Sequence, residues 1–314
     1  MLRPLGRQYR AASVGPPVRG RVWSTDAVST WTAERFVDGL FFGEGPRWHD
    51  GRLWYSDFFD QAVFSVAEDG SRRREVEVPG RPSGLGWLPD GRLLVVSMED
   101  RLVLRREADG SLVTHGDLRP WATHYGNDMV VAADGRAYVG NFGFDLYAFY
   151  DGDAEFSRTS LIRIDPDGTA TEAAADLSFP NGTVLFSDGR TLVVAESFAL
   201  RLTAFDVAAD GTLSNRRLWA HLGDCGPDGI CLDADGGIWV ANALGNDCRR
   251  FAEGGEELDR VTTSQTCFAC MLGGADRRTL YCITAPSSTE REASAARHGR
   301  IEQVRVTVPG AGLP

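Results

Sequence analysis

The sequence contains no apolar run long enough to cross a bilayer, few methionines, and fewer basic than acidic residues. Its 314 residues include 4 Met, 33 Lys and Arg, and 44 Asp and Glu, which gives a formal net charge of −11. A membrane helix needs about 18 consecutive apolar residues, and a phosphate backbone repels an acidic protein. We therefore expect neither a membrane nor a nucleic acid as a partner.

Signatures of several protein classes are also missing. No G-x-S-x-G turn and no Ser-His-Asp order occur, which disfavours covalent serine chemistry. No G-x-G-x-x-G follows a strand pattern, which disfavours a nicotinamide cofactor. The WD dipeptides and G-H pairs of seven-bladed WD propellers are absent as well.

The N-terminal segment 1–30 carries five arginines and no acidic residue before Asp26. It lacks the apolar stretch of about 7–15 residues that a secretory signal needs. A transit peptide stays open as an alternative, but a flexible surface extension is favoured. Residues 31–314 are then expected to form a single domain of a cytoplasmic protein.

The cysteines are not distributed as in a disulfide scaffold, because all six follow position 220. They are Cys225, Cys231, Cys248, Cys267, Cys270 and Cys282. Cys267 and Cys270 have the spacing of a metal or redox pair, but no second such pair and no histidine pair accompany them. We interpret the cysteines as reduced, mostly buried small apolar residues.

Glycine is abundant, with 36 residues, and the chain contains an internal repeat. A turn, an apolar run, an Asp-Gly or equivalent turn and a second apolar run recur in six copies. The copies begin at Gly43, Pro82, Gly126, Pro180, Pro227 and Cys267. Asp-Gly between two β-type runs is a strong hairpin signal, and in most copies a further run and turn follow. About four strands per copy without helical periodicity predict an all-β fold, a six-bladed β-propeller.

The segment RFVDGLFF, before the first copy, predicts how the ring closes. The last copy has only three predicted strands, the third being GRIEQVRVTV. RFVDGLFF can supply its outer strand and so remove an exposed sheet edge.

Polar residues recur where each copy enters its first strand, which in a propeller faces the central channel. We place Glu44, Ser83, Asn127 with Asp128, Asn181, Asp228 and Ala269 at this point. Asn and Asp before Gly are common turn formers, but a Glu, two Asn and an Asp in register favour a site. Oxygen donors without thiolate or imidazole suit one hard divalent cation, Ca²⁺ above all, with Mg²⁺, Mn²⁺ or Zn²⁺ as alternatives.

Five motifs taken together resemble the gluconolactonase, regucalcin (senescence marker protein) and luciferin-regenerating enzyme family. They are EGPRW at 44–48, GND at 126–128, PNG at 180–182, PDGI at 227–230 and CFACMLGG at 267–274. The resemblance covers about residues 33–306 and implies a six-bladed propeller with a divalent metal in the channel. The implied metal ligands are Glu44, Asn181 and Asp228, with Asn127 in or beside the coordination shell and touching substrate. Family activities are mostly lactone hydrolysis, with phosphotriester or fluorophosphate hydrolysis in related enzymes.

One position departs from the sugar-lactone members, which the resemblance implies carry an Arg two residues before the Asn of the third copy. Here that residue is Tyr125, and the loss of the guanidinium argues against a highly hydroxylated aldonolactone. The neighbourhood is aromatic: the expected substrate-contacting residues are Trp121, His124, Tyr125, Asp128 and Phe142. The insertion at 144–156 is either a lid or pocket wall, or a peripheral loop.

The hypothetical mechanism is hydrolysis of a lactone by water activated at the metal. Asp228 is the candidate general base, and Asn127 would hold the oxyanion as a neutral donor. Asp128 is an alternative base that could instead brace a turn, and His124 is a less favoured proton shuttle.

Other functions stay open at this stage. The same site could serve a phosphotriester hydrolase or a biosynthetic ring-opening or isomerising enzyme. The ion could also be structural in a non-catalytic calcium-binding propeller. A protein-interaction propeller is disfavoured by the register of Glu44 and Asp228. We expect a small lactone or ester as the substrate, and a monomer or small homo-oligomer.

Overall fold

The computed structural model describes residues 28–312, and nearly all regular structure in it is β-strand. Most of the predicted extension at 1–30 lies outside the described residues. The first strand begins at Ser29, two residues before the predicted domain start. Within 28–312, no helix is long and apolar enough to cross a membrane.

Six sheets of at least four strands are arranged as blades, which confirms the predicted propeller. Numbered in chain order, β1 is Ser29–Thr32 and β2 is Glu34–Leu40. From the innermost strand outwards, the first blade is β3 Gly43–His49, β4 Arg52–Asp57, β5 Ala62–Val66 and β6 Arg72–Glu77, and the second is β7 Pro82–Trp87, β8 Leu93–Ser97, β9 Leu102–Arg106 and β10 Leu112–Asp117. The third blade is β11 Gly126–Val131, β12 Ala137–Asn141, β13 Thr159–Ile164 and β14 Ala170–Leu177, and the fourth is β15 Pro180–Leu185, β16 Thr191–Glu196, β17 Arg201–Val207 and β18 Leu213–His221. The fifth blade is β19 Pro227–Leu232, β20 Ile238–Asn242, β21 Asp247–Phe251 and β22 Glu257–Thr262, and the sixth is β23 Thr266–Gly273, β24 Thr279–Ala285, β25 Gly299–Arg305 and β2.

The Asp-Gly turns form the hairpins that the repeat predicts. Asp50 and Gly51 join β3 to β4 with φ of 49° and 70°, and this left-handed pair matches the twist of the strands. The hairpins place alternate side chains between blades, where apolar clusters form the core. The innermost strands contact one another in a ring that ends with β23 against β3.

Two N-terminal strands close the ring. β2 pairs antiparallel with β25 as the outer strand of the sixth blade, as predicted for RFVDGLFF. β1 was not expected: it pairs parallel with β22 and adds a fifth strand to the fifth blade. The chain thus bridges the last two blades before it enters the first.

Two short helices lie in loops at the end of the ring where the innermost strands begin. α1 is Leu146–Asp151, between β12 and β13, and α2 is Glu290–Ala293, between β24 and β25. A 3₁₀ turn at Ser197–Ala199 lies at the same end.

Candidate metal centre at the channel mouth

Every innermost strand carries a one-residue bulge beside its entry point. In five blades the first residue of the copy pairs with the residue ending the second strand, as in Gly126 with Asn141, and in the sixth Cys267 pairs with Thr284; regular pairing resumes after an extra residue. A bulge re-aims side chains in and beside it. The bulges contain Ser83, Asn127, Asn181, Asp228 and Phe268, and Glu44, which pairs with Ser56, directly precedes one.

The sixth blade corrects the sequence alignment by one residue. Phe268, and not Ala269, holds the position equivalent to Asp228, because the bulge falls between Cys267 and Ala269. This blade therefore contributes an aromatic side chain where the other five contribute side chains that carry oxygen.

Glycines after the site residues let neighbouring strands approach closely. A Cβ on Gly182 would lie 2.5 Å from the carbonyl oxygen of Asp228, and one on Gly84 would lie 2.4 Å from the Met129 nitrogen. Such contacts exclude any side chain at these glycines. The close approach brings the side chains of Asn181 and Asp228 together.

The side chains of Glu44, Asn181 and Asp228 lie close together. Glu44 and Asn181 are buried, and Asp228 keeps part of its surface open. The Asn181 amide hydrogen-bonds to the Asp228 carboxylate and donates to Ser197 Oγ at 3.2 Å. Removal from water raises the pKa of Asp228 to about 8, and Asp128 adds to the shift. The pKa of Glu44 is also raised well above its ordinary range, first by burial and then by Asp228.

Asn127 and Ser83, at equivalent positions of the third and second blades, carry buried polar atoms. Asn127 Nδ2 and Ser83 Oγ have no hydrogen-bond partner among the described residues. Buried polar groups without partners are rare in folded proteins, and where they occur they call for a ligand or water. The third blade thus offers an unused amide beside the carboxylates of the first and fifth.

Asp128 is engaged by Arg47, a buried residue that sequence reasoning left without a role. Arg47 Nη2 lies 2.9 Å from Asp128 Oδ1, and the same oxygen accepts from the Met129 amide at 2.8 Å. Arg47 also donates to the carbonyl oxygens of Pro46 and Met129. This geometry favours a bracing role for Asp128 over direct contact with substrate.

Polar residues at the ends of the second strands hold the entry loops, and sequence reasoning missed them. Asp57 accepts from the amides of Phe41 and Phe42 at 2.9 and 3.2 Å. Glu196 accepts from Ser178 at 2.9 Å, and Asn242 accepts from Gly226 at 2.9 Å. Their recurrence after the second apolar run of each copy was the signal available in the sequence.

The predicted aromatic wall is present in part. Phe142 packs against Phe179 with ring centroids 4.7 Å apart, and Tyr125 lies 5.8 Å from Phe142. His124 lies against Tyr125, and its Nε2 is 3.6 Å from Asp145 Oδ2. Burial lowers the pKa of His124. Trp121 instead packs against the core between the second and third blades.

The insertion at 144–156 contains α1, at the end of the ring where the innermost strands begin. Asp145 caps the helix by accepting from the Ala148 amide at 2.9 Å, and Gly152 ends it with φ of 86°. Tyr150 is 47% exposed, but its hydroxyl bonds to Ser288 and lies within electrostatic range of Asp228; desolvation of the hydroxyl and that carboxylate raise its pKa. The insertion therefore lies near the end of the channel that holds Asp228, and a lid is the role that we propose for it.

An ion pair close to α1 joins the loop before β7 to α2. Arg81 Nη2 lies 2.5 Å from Glu290 Oε1, and Arg81 Nε lies 2.9 Å from Glu99. Glu290 also lies within electrostatic range of Tyr147 on α1. The two helices and this pair narrow the access to the ring of oxygen donors.

The donor set fits a divalent cation. Two carboxylates and two amides meet in a buried place, and the one arginine of the group, Arg47, is paired with Asp128. Burial raises the pKa values of both Glu44 and Asp228; Asp228 and Asp128 add to the shift of Glu44, and Asp128 adds to that of Asp228. Positive charge between the two carboxylates would stabilise their ionised forms. Oxygen donors of this kind suit Ca²⁺ and similar hard cations.

Fold and site together define a six-bladed β-propeller with an oxygen-donor centre at one end of its channel. Residues 42–286 match the model of the SMP-30/gluconolactonase/LRE-like region, and the chain belongs to this family. It is 28% identical to the pentonolactonase XacC of Haloferax volcanii over 264 residues, which are 81% of this chain and 85% of the relative. It is 27% identical to the L-arabinolactonase of Azospirillum brasilense, covering 77% and 80%. A calcium-binding regucalcin structure from Agrobacterium tumefaciens superposes with a TM-score of 0.76 at 21% identity, covering 92% and 99%.

Proposed function

We propose that this protein is a divalent-cation-dependent lactonase that opens a cyclic ester less hydroxylated than a sugar lactone. The carrying observation is the meeting of Glu44, Asn181 and Asp228 beside the unpartnered amide of Asn127. Relatives named as lactonases at 27–28% identity over most of both chains support the reaction type.

The residues that would hold the cation are Glu44, Asn181 and Asp228, with Asn127 beside them. The cation, Ca²⁺ in our proposal, would supply positive charge that polarises the ester carbonyl and acidifies water. Oxygen ligands without nitrogen or sulfur favour Ca²⁺ over softer metals.

Asp228 is the proposed general base. Its carboxylate faces the mouth, and the Asn181 amide fixes its orientation through a hydrogen bond. As ring-opening proceeds, Asp228 takes the proton of the attacking water and returns it to the leaving alkoxide. His124 is less suited to this step, because its imidazole pairs with Asp145 on the lid side.

Asn127 is the proposed oxyanion donor. Its buried Nδ2 has no partner among the described residues and is free to donate to the oxygen that gains charge during attack. A neutral donor suits this place, since Arg47 is already paired with Asp128.

The aromatic side chains at the channel mouth determine the substrate class that we propose. Tyr125, Phe142, Phe179 and Phe268 offer rings where a sugar lactone would need donors for its hydroxyls. Burial of apolar surface would contribute about 25 cal/mol per Å² of contact. We propose an alkyl- or aryl-substituted lactone.

The test is a hydrolysis screen of γ- and δ-lactones, sugar lactones, aryl esters and phosphotriesters. Chelator-treated protein is assayed before and after return of Ca²⁺, Mg²⁺, Mn²⁺ or Zn²⁺. We expect cation-dependent opening of apolar lactones in the wild type and in Glu253→Gln, a control at an exposed turn residue. Full lactonase activity in the chelated protein, or in Asp228→Asn, would refute the mechanism. Preferential turnover of phosphotriesters would refute the reaction.

A further inference from the structure

A second group of metal-ligating side chains lies in the core between the fifth and sixth blades, beneath the strand that carries Asp228. The Sγ atoms of Cys248, Cys267 and Cys282 all lie within 4.8 Å of one another, and the three residues are buried. Cys248 is on β21, Cys267 on β23 and Cys282 on β24. One blade therefore supplies one sulfur and the next blade supplies two.

Cys270 extends this thiol cluster. Its Sγ lies 3.8 Å from the Sγ of Cys231 and within hydrogen-bond reach of Cys248. The backbone amides of Ala241 and Cys231 lie near the same sulfur, and its thiol donates to the carbonyl oxygens of Gly229 and Trp239, both at 3.6 Å. Amide N–H groups directed at a sulfur stabilise negative charge there, as groups surrounding metal ligands do.

The spacing of the sulfurs suits thiolate coordination. A Zn–S bond is about 2.3 Å long, so tetrahedral ligands lie about 3.8 Å apart. Three sulfurs within 4.8 Å reach this spacing by small side-chain rotations. Apolar packing alone would be served equally well by alanine or valine and does not account for the convergence of these thiols from separate strands.

We propose that Cys248, Cys267 and Cys282 bind a zinc ion, with Cys270 as the fourth ligand. Each thiol would lose its proton to solvent as its Zn–S bond forms, so the step needs no oxidant or reductant. Four protein sulfurs leave no open position, which makes the ion structural. It ties the fifth blade to the sixth, the pair that β1 and β2 also bridge.

This inference is independent of the lactonase proposal and differs from the prediction that the cysteines are only apolar core residues. All six are buried and free of disulfides, as expected. Cys225 stands apart, in the core cluster between the fourth and fifth blades, and provides a matched control.

The experiment measures metal content and zinc-edge X-ray absorption of full-length protein from zinc-supplemented cells, after dialysis against a mild chelator. We expect a single zinc ion per chain with a sulfur-only shell. Cys248→Ala and Cys282→Ala should lose it, whereas Cys225→Ala should keep it. Glu44→Gln should also keep it, because the channel site offers only oxygen donors.

Circular dichroism of each variant separates loss of metal from failure to fold. If the cysteine variants do not fold, the X-ray absorption spectrum of the wild-type protein alone tests the proposal. Folded wild-type protein without sulfur-bound zinc would overturn the proposal. So would zinc bound only by oxygen and nitrogen, or retained at full occupancy in a folded Cys248→Ala variant.

Discussion

Arg47 and Asp128, 81 residues apart in the chain, form a buried ion pair of 2.9 Å between the first and third blades. The two side chains meet across the second blade at Gly84, which has no side chain. A Cβ at this position would collide with the Met129 nitrogen. The ion pair neutralises one carboxylate beside the channel centre. The remaining carboxylates, Glu44 and Asp228, are left to a cation.

Replacing Arg47 by Met should therefore destabilise the protein strongly. Removing one partner leaves a buried, uncompensated carboxylate, which costs about 3–5 kcal/mol in comparable pairs. Urea denaturation should show this loss, and Arg47→Met/Asp128→Leu should regain part of it. An unfolding free energy unchanged in the single variant would contradict the bracing role.

Asn127→Ala should lower kcat of lactone hydrolysis by about 10²–10³, the loss seen when an oxyanion donor is removed. The fold should persist, because Nδ2 of this residue makes no hydrogen bond to any described residue. Steady-state kinetics on the best lactone from the screen provides the measurement. A change confined to KM would instead assign Asn127 to substrate binding.

The cation-free protein should lose stability as the pH rises. The pKa of Asp228 is raised from its ordinary 3.8 to about 8, so the folded state holds a proton that the unfolded state releases. The contribution of Asp228 to the free energy of unfolding is therefore largest below about pH 4, and it is lost as the pH rises from there through 8.

Melting temperatures of chelated protein from pH 5 to 9 test this sign. The decline should flatten in Asp228→Asn and be offset by added Ca²⁺ at pH 8, since a ligand that binds only the folded state stabilises it. An equal slope in wild type and Asp228→Asn would contradict the assignment.

Tyr125→Arg should shift specificity toward hydroxylated lactones. The new guanidinium would stand at the mouth beside Phe142 and offer five donors. We expect kcat/KM for a sugar lactone to rise about tenfold and that for an apolar lactone to fall. Tyr125→Phe, which adds no donor, is the matched control and should leave the ratio of the two nearly unchanged.

The repeat predicted the blades because Asp-Gly turns and apolar runs determine hairpins from residues that are close in sequence. It also predicted one level for Asn127, Asn181 and Asp228, each seven residues before the Asp of its turn, and for Glu44, six residues before Asp50. The sixth blade was misaligned because its CFACMLGG segment has no Asn-Gly or Asp-Gly after the bulge.

Other features depend on contacts between distant segments and were beyond local patterns. The motif EGPRW contains Arg47, but its partner Asp128 belongs to another copy and only the closed ring brings them together. β1 pairs in parallel with a strand more than 200 residues later, which no hairpin signal encodes. The sequence contains capping residues for α1, Asp145 and Gly152. The position of α1 near Asp228, however, depends on tertiary packing that no local pattern encodes.

Calorimetric titration of chelated protein with Ca²⁺ measures whether the channel residues bind a cation. We expect a single high-affinity channel site in the wild type and in Glu253→Gln. Glu44→Gln and Asp228→Asn, each folded, should weaken that site by at least about tenfold, or 1.4 kcal/mol. Unaltered Ca²⁺ affinity in both folded variants would contradict the proposed channel site.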